Sequence, residues 1–221
     1  MSHAAATLRE SRTVGYETAR PDIQSHVPVT ARRILDLGCS TGALGAALKA
    51  RQPAIVVGVE LGEDYARDAE ARLDRVIVAD VEAFASGPAP PEAPFDCLIA
   101  ADVLEHLRDP WAALQGAVSM LAPGGTAVVS LPNVLFWAGL LHVVRTRRWP
   151  REDEGLFDRT HLRWFGEADA VELLEQAGLR DVAVHPRYWV EGGALRRREW
   201  LAGTPLRPYL APQHVLSAVK G

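Results

Sequence analysis

Acidic side chains stand at the ends of three successive apolar runs in the sequence. Asp36 follows RIL, Glu60 ends IVVGVE 22 residues after Gly38, and Asp80 ends VIVAD. A carboxylate in such a place can attract a cationic group, or accept hydrogen bonds from the two hydroxyls of a ribose. A single acid of this kind is more typical of a solvated loop. Three of them at successive strand ends indicate a nucleotide site.

The loop after Asp36 is spaced by glycines. Gly38 and Gly42 allow the backbone to approach a ligand without a Cβ clash, and Cys39 and Ser40 lie between them. The three-glycine dinucleotide pattern is not met, because Ser40 stands where its first glycine belongs, and no phosphate-loop lysine motif occurs. A carboxylate facing a pyrophosphate would also be unfavourable. The loop therefore disfavours phosphate binding.

From residue 33 onward, short apolar runs alternate with segments of helical periodicity. These segments must position the acidic residues and the glycine loop. The predicted strands are 34–37, 55–59, 76–79, 95–101 and 126–131, and the predicted helices between them are 44–49, 65–73 and 111–121. Such alternation is typical of successive βα units on a parallel sheet, with continuous apolar strands where helices cover both faces. The pattern predicts a doubly wound α/β fold, whose ligands bind beyond the carboxyl ends of the strands.

The regular alternation of predicted strands and helices ends after residue 131. We predict a helix over 132–148, another over 167–177, and closing strands over 182–185 and 215–219, while Ala122–Gly125 should end a helix and begin the fifth strand. Five of the six tryptophans lie in this last part of the chain, which suggests a specialised wall over an apolar pocket. They are Trp137, Trp149, Trp164, Trp189 and Trp200.

Composition narrows the class of protein. A chain of 221 residues with a formal net charge of -4 suits one globular domain and does not favour a nucleic-acid partner. The basic clusters Arg145–Arg148 and Arg196–Arg198 lie near acids, as on a solvated face. Two cysteines indicate neither a disulfide framework nor a metal cluster. No leader or membrane span is apparent, so we expect a cytoplasmic protein without stable membrane insertion.

Five segments together resemble the class I S-adenosylmethionine-dependent methyltransferases in order and spacing, over about residues 33–183. They are LDLGCSTG, VVGVE, VIVADVE, FDCLIAADVLEHLRDP and LAPGGTAVVSLPN. The resemblance implies a doubly wound, Rossmann-like, seven-stranded and mainly parallel sheet, with an antiparallel last strand and a helical insertion after the fifth strand. It divides the chain into an N-terminal cap segment, 1–32, and a methyltransferase domain, 33–221, with an acceptor-side insertion at 133–165.

The same resemblance assigns the cofactor, S-adenosylmethionine, with S-adenosylhomocysteine as the product. It implies that Asp36, Gly38 and Gly42 cradle the methionine part and that Glu60 holds the ribose. Asp80 and Val81 would meet the adenine, and Asp102 would border the methionine part and the acceptor. The full implied set is Asp36, Gly38, Cys39, Ser40, Gly42, Glu60, Leu61, Asp80, Val81 and Asp102. Ser40 departs from many members, which carry glycine there.

On the acceptor side the chain is similar to bacterial small-molecule O-methyltransferases of the ubiquinone-biosynthesis type. The residues that carry this likeness are DVLEHLRDP, SLPN and GLFDRTHLRWF. We therefore expect methyl transfer to an oxygen of a small-molecule acceptor, with N-methylation and a non-catalytic nucleotide-binding module as alternatives. An RNA or protein methyltransferase is disfavoured, because Ala101–Leu104 lacks the Asn-Pro-Pro-aromatic pattern. The sequence is also compatible with a homodimer.

Two histidines are candidate general bases for a hydroxyl acceptor, since an imidazole titrates near neutral pH. His161 comes first, in a polar run just before two aromatic residues, and His106 second. Arginines could hold an acceptor carboxylate or phosphate bidentately. The predicted acceptor-binding residues are Asn133, Trp137, Arg159, Arg163 and Trp164, and no metal is expected. Tyr16 and Arg20 could fold over the cofactor.

Overall fold

The structure, a computed structural model, describes residues 17–188 and 204–221. Its strands are β1 (Arg33–Leu37), β2 (Ile55–Glu60), β3 (Arg75–Val78), β4 (Phe95–Ala101), β5 (Leu121–Pro132), β6 (Leu179–Arg187) and β7 (Gln213–Lys220). Its α-helices are α1 (Pro21–Gln24), α2 (Ala43–Arg51), α3 (Glu63–Glu70), α4 (Val81–Ala85), α5 (Pro110–Ser119), α6 (Trp137–Thr146) and α7 (Glu167–Gln176). Two short 3-10 helices cover Leu104–His106 and Arg207–Tyr209.

The seven strands form one sheet in the order β3-β2-β1-β4-β5-β7-β6. The pairs from β3 to β5 are parallel, and β7 runs antiparallel to both β5 and β6. The predicted fold class is confirmed, including the antiparallel last strand. Strand order reverses between β1 and β4, and a doubly wound sheet opens a ligand crevice at such a point.

Two apolar clusters cover the two faces of the sheet. Leu35 and Leu37 of β1 belong to one cluster, whereas Ile34 of the same strand packs into the other, on the side of α2 and the N-terminal segment. Successive side chains of a strand point to opposite faces. A strand covered by helices on both sides must therefore be apolar at nearly every position, which explains the continuous apolar runs IVVGV in β2 and CLIAA in β4.

Two sequence boundaries were placed wrongly. Ala122–Gly125 does not separate α5 from β5, because β5 begins at Leu121 and the segment forms an irregularity in its pairing with β4 between Phe95 and Cys97. The helix predicted over 132–148 is shorter, since α6 starts at Trp137 after a turn. Other sequence features lie outside the described residues: Tyr16, Trp189, Trp200 and Arg196–Arg198. Among the described residues, no helix is long and apolar enough to cross a membrane.

The described part of the N-terminal segment, residues 17–32, is fixed against the sheet. Ile23 is fully buried in the cluster next to α2. The side-chain amide of Gln52 donates to the carbonyl oxygens of Pro28 (2.9 Å) and Ala31 (2.8 Å). The rings of His26, in this segment, and His185, in β6, are stacked with their centroids 3.8 Å apart. The segment is therefore held at both the α2 side and the β6 edge.

The stacked histidines make the stability of this attachment dependent on pH. Burial lowers the pKa of both rings, and the neighbouring His26 lowers that of His185 further. Their folded-state pKa values lie below the unfolded value of about 6.5, so the unfolded chain binds more protons and stability falls as pH decreases through that region.

We expect the wild type to lose unfolding free energy relative to His185→Phe between pH 8 and pH 5.5. Phenylalanine keeps a ring on His26 but cannot be protonated. The measurement is urea unfolding of both proteins at the two pH values. An unchanged difference in unfolding free energy would contradict a titrating stack.

Candidate active site at the carboxyl ends of the strands

A cavity of about 350 Å³ lies where β1 and β4 end, at the reversal of strand order. Seven of the residues predicted from the sequence line it: Asp36, Gly38, Cys39, Ser40, Asp102, His106 and His161. Arg20, which the sequence analysis placed over the cofactor, also lines the cavity, together with residues that the sequence patterns did not single out, among them Thr18, Glu105, Arg187 and Gln213. The predicted cofactor loop and the predicted bases therefore share one cavity.

The loop after β1 depends on three left-handed backbone conformations. The φ angles are +67° at Gly38, +49° at Ser40 and +77° at Gly42, where α2 begins. A Cβ added to Gly38 would lie 2.9 Å from Cγ2 of Val103, so the close approach of the two loops also requires glycine. The conformation of Ser40 gives a physical reason why relatives carry glycine at this position.

Two buried polar atoms of this loop have no partner among the described residues. They are Oδ2 of Asp36, whose residue is 2% exposed, and Oγ of Ser40. Burial, followed by the charge of Glu60, raises the pKa of Asp36 to about 7. Burial and the nearby Asp36 likewise raise the pKa of the Cys39 thiol. Unpaired buried polar groups are costly, so both atoms are suited to a bound ligand that carries a cation and hydrogen-bonding groups.

The other predicted cofactor residues lie along the same edge, outside this cavity. Oε2 of Glu60 accepts a hydrogen bond from the backbone nitrogen of Ser40 (2.9 Å), and Oε1 accepts one from that of Gly62 (2.8 Å). Glu60 thus ties the loop after β2 to the loop after β1. Oδ1 of Asp80 accepts from the backbone at the start of α4. Leu61 is exposed, and Val81 is buried as the first residue of α4.

Asp102 is the centre of a hydrogen-bonded cluster at the end of β4. Its carboxylate accepts hydrogen bonds from Nη1 of Arg20, from Oγ of Ser130 (2.6 Å) and from Nε2 of Gln213. Arg20 also pairs with Asp22 at 3.0 Å. Gln213 lies in none of the motifs quoted from the sequence, and Ser130 lies in SLPN but was not singled out as a site residue. The signal that was available is topological, since β7 runs antiparallel and its first residue therefore lies at the same edge as the last residues of β4 and β5.

His161 is held in one tautomer. Its Nδ1 lies 3.1 Å from the carbonyl oxygen of Leu156, which can only accept, so Nδ1 carries the proton of the neutral ring and Nε2 keeps its lone pair. Burial, followed by the neighbouring His106, lowers the pKa of His161. Nε2 lies 4.0 Å from Oε1 of Glu105, whose own pKa is raised by burial and then by Asp102. Both groups are pushed toward neutrality, so this contact is not an ion pair.

His106 lies beside this pair. Its ring meets that of His161 edge to face, with centroids 4.7 Å apart, and its Nδ1 lies 3.0 Å from Oγ1 of Thr160. Donor atoms of Glu105, His106 and His161 all lie within 4.8 Å of one another, a spacing that could hold a metal ion. The sequence-based expectation of no metal stays a prediction.

The structure does not bring the predicted acceptor residues together in this cavity. Asn133 is fully buried, and its side-chain amide donates to the carbonyl oxygens of Pro208 and Ala211, both at 2.7 Å. These bonds anchor the loop before β7 to the end of β5. Trp137 lines a second cavity.

The remaining three candidates line neither of these two cavities. Arg159 is exposed and pairs with Asp153 at 2.8 Å. The guanidinium of Arg163 lies 5.9 Å from the ring centroid of Trp111 and donates to the backbone of Arg108. Trp164 is half exposed and packs edge to face on Trp149, with centroids 5.5 Å apart. An acceptor in the first cavity would instead meet Arg187, which the sequence analysis missed.

Solved structures define the class of fold. An S-adenosylmethionine-dependent methyltransferase of Thermotoga maritima, described as a possible histamine N-methyltransferase, has a TM-score of 0.67 at 17% identity, over 99% of this chain and 95% of that chain. Magnesium protoporphyrin IX methyltransferase of Synechocystis, solved with bound S-adenosylhomocysteine, has a TM-score of 0.60 at 14% identity, over 100% of this chain and 89% of that chain. At these identities the likeness shows a shared fold.

Sequence relatives define the family. The family model described as Methyltransferase domain matches residues 9–184. Trans-aconitate 2-methyltransferase of Methylobacterium nodulans is 32% identical over 206 residues, which cover 89% of this chain and 78% of that protein. The chain therefore belongs to the methyltransferase family. The predicted membership of the methyltransferase family is confirmed.

A narrower similarity covers part of the chain. Ubiquinone biosynthesis O-methyltransferase of Xylella fastidiosa is 36% identical over 125 residues, which cover 55% of this chain and 50% of that protein. The chain spans about half the length of these relatives. The similarity therefore does not identify the acceptor of this enzyme.

Proposed function

We propose that the enzyme transfers the methyl group of S-adenosylmethionine to a hydroxyl oxygen of a small-molecule acceptor. The observation that carries this proposal is the fixed tautomer of His161, which leaves a lone pair on Nε2 in the same cavity as Asp36 and the β1 loop. A hydroxyl must lose its proton when it is methylated, so a neutral histidine within that cavity suits the reaction. The names of the partial relatives agree with transfer to oxygen.

The residues of the first cavity fit the cofactor. When bound, it supplies a methyl group on a positively charged sulfur. Asp36, Gly38 and Gly42 would hold its methionine part, with the unpartnered Asp36 carboxylate available to its cationic groups. The guanidinium of Arg20 is the matching group for its carboxylate. Glu60, at the next strand end, would accept hydrogen bonds from the ribose hydroxyls.

In the proposed reaction the protein aligns the reacting atoms and accepts one proton. The acceptor oxygen would take the methyl group that the cofactor supplies, the electrons of the carbon–sulfur bond would stay on the sulfur, and the hydroxyl proton would pass to Nε2 of His161. The Leu156 carbonyl holds the other ring nitrogen, so the resulting imidazolium keeps its orientation. Alignment and exclusion of water account for the rest of the acceleration.

A carboxylate oxygen is the second candidate acceptor atom. The relative from Methylobacterium nodulans is named for a carboxylic acid, and the guanidinium of Arg187 borders the cavity. An ionised carboxylate has no proton to lose, so His161 would not act as a base. The consequence for a His161 variant therefore separates the two acceptor classes.

We expect His161→Ala to lower kcat with a hydroxyl acceptor by about 10²–10⁴-fold, the usual contribution of a general base. The dissociation constant of S-adenosylmethionine should stay the same, because the cofactor is held by the β1 loop. The check is methyl transfer to a panel of phenols, sugars and carboxylic acids, with cofactor affinity from calorimetry as the control. An unchanged kcat would favour a carboxylate oxygen as the acceptor atom. If the wild type instead lost activity when metal is removed with a chelator, His161 would act as a metal ligand together with Glu105 and His106.

Asp36 should make cofactor affinity depend on pH. Its pKa of about 7 means that it gains charge between pH 6 and pH 8. The cationic S-adenosylmethionine should then bind up to about tenfold tighter relative to the uncharged sulfur of S-adenosylhomocysteine. Calorimetry with both ligands across this range measures the ratio. Asp36→Asn should make the ratio independent of pH, and a pH-independent ratio in the wild type would remove Asp36 from the sulfonium site.

Glu60→Gln should weaken S-adenosylhomocysteine binding by about 1–3 kcal/mol, the scale of a hydrogen bond to a charged group. Glu63→Gln, three residues further on and exposed at the start of α3, is the matched control and should bind normally. Isothermal calorimetry of the two variants beside the wild type is the measurement. Equal affinities in all three proteins would exclude Glu60 from the ribose site.

A further inference from the structure

The first cavity has an excess of acidic over basic side chains. Six acids of the described part of the chain line it: Asp36, Asp102, Glu105, Asp153, Glu154 and Asp158. Arg20 and Arg187 line it as well, but Arg20 pairs with Asp22 and Asp102, and Nε of Arg187 lies 3.3 Å from Oδ2 of Asp22. Arg159 pairs with Asp153. The remaining negative charge favours positively charged ligands in this cavity.

Two of these acids, Asp36 and Glu105, carry a buried oxygen atom without a partner among the described residues. Asp36 belongs to the loop after β1, which we assign to the cofactor. Glu105 lies on the opposite side of the cavity, because its backbone carbonyl oxygen accepts hydrogen bonds from the backbone nitrogens of Leu162 (2.8 Å) and Arg163 (3.0 Å) of the insertion. The residue is 1% exposed. An unpaired buried carboxylate oxygen is costly, so Oε2 of Glu105 is suited to a group of the acceptor.

The carboxyl group of Glu105 lies beside the candidate base. Its Oε1 is 4.0 Å from Nε2 of His161, which is too far for a direct hydrogen bond. Nε2 offers a lone pair, because Nδ1 of the same ring donates its proton to the carbonyl oxygen of Leu156. Glu105 and His161 are therefore neighbouring acceptors that need two donors from the ligand. A hydroxyl supplies the donor for His161, and a second donor on the adjacent carbon of the same molecule would serve Glu105.

We infer that Glu105 binds an ammonium group of the acceptor, so that the enzyme acts on amino alcohols whose two groups stand on neighbouring carbons. The inference rests on the proposed function and adds the substrate class. An ammonium group donates up to three hydrogen bonds and supplies the positive charge that a buried carboxylate lacks. A neutral second donor would leave the negative charge of the cavity without compensation. The nitrogen of an ammonium group has no free lone pair, so the oxygen beside His161 takes the methyl group.

The experiment measures binding without turnover, on the full chain saturated with S-adenosylhomocysteine. The probes are trans-2-aminocyclohexanol, trans-1,2-cyclohexanediol and cyclohexylamine, titrated by calorimetry at neutral pH with a chelator present. Alkyl amines are protonated under these conditions. The amino alcohol should bind at least about tenfold tighter than the diol, because the diol keeps the ring and the neighbouring donor but carries no charge.

Variants of Glu105 test whether this gain in affinity comes from its carboxylate. Glu105→Gln keeps the size of the side chain and removes its charge, so it should abolish the gain while S-adenosylhomocysteine affinity stays unchanged. Glu152→Gln is the matched control and should keep the gain, since Glu152 is an exposed acid of the insertion that does not line the first cavity. Glu105→Asp withdraws the carboxylate by one methylene. It should reduce the gain partway, and gives the same answer if the glutamine variant does not fold.

Several outcomes decide between the claims. Equal affinity of the wild type for the amino alcohol and the diol, or a gain that survives in Glu105→Gln, would overturn the ammonium subsite. A gain that appears only with added Mg²⁺ or Zn²⁺ would also overturn it, because Glu105 would then hold a metal ion with His106 and His161.

Methyl transfer assays with S-adenosylmethionine separate the inference from the proposed function. Glu105-dependent binding of the amino alcohol and of cyclohexylamine, without methyl transfer to oxygen, would support the ammonium subsite and overturn hydroxyl methylation. Methyl transfer to the diol, with no Glu105-dependent gain for the amino alcohol, would support hydroxyl methylation and overturn the subsite. The two failures are therefore distinguishable.

Discussion

The guanidinium of Arg20 pairs with the carboxylate of Asp102, and this pair joins the N-terminal segment to the end of β4. Burial lowers the pKa of Arg20, but the charges of Asp102 and Asp22 outweigh it, so the pKa is raised overall and the side chain stays charged. Ser130 and Gln213 complete the hydrogen bonds of Asp102 from β5 and β7. Without the Asp102 carboxylate, Arg20 would keep Asp22 as its ion-pair partner, and without Arg20 the Asp102 carboxylate would keep its hydrogen bonds from Ser130 and Gln213. The cavity exists because four separate parts of the chain meet at this carboxylate.

The same constraint explains what could be predicted from the sequence. Asp36, Glu60 and Asp80 were found because parallel strands present their last residues at one edge, and each strand is marked by an apolar run. Gln213 lies at that edge through the first residue of an antiparallel strand, and no local pattern marks such a position. Asn133 shows the converse case. Like these acids it ends an apolar run, but its side-chain amide already donates hydrogen bonds to two backbone carbonyl oxygens.

The charges of the cavity are arranged for an incoming cation. Asp36 and Glu105 both have raised pKa values, since each is buried and lies near another carboxylate, and Arg20 is engaged by Asp102 and Asp22. Such acids are held close to neutrality until a positive group replaces the missing solvent. A sulfonium ligand supplies that charge and also explains why the unpartnered atom of Asp36 is tolerated. The electrostatics therefore favour the cofactor that the family requires, rather than a phosphate-bearing nucleotide.

The insertion after β5 carries His161 and borders both cavities. The ring of His161 is oriented by the carbonyl of Leu156, a residue that lines both cavities, and Gly139 of α6 packs against Leu156 and Phe157. In the proposed reaction, the packing of α6 on this segment would therefore help to fix the orientation of the base. Sequence periodicity could not show this arrangement, because it depends on a loop of mixed polarity between two helices.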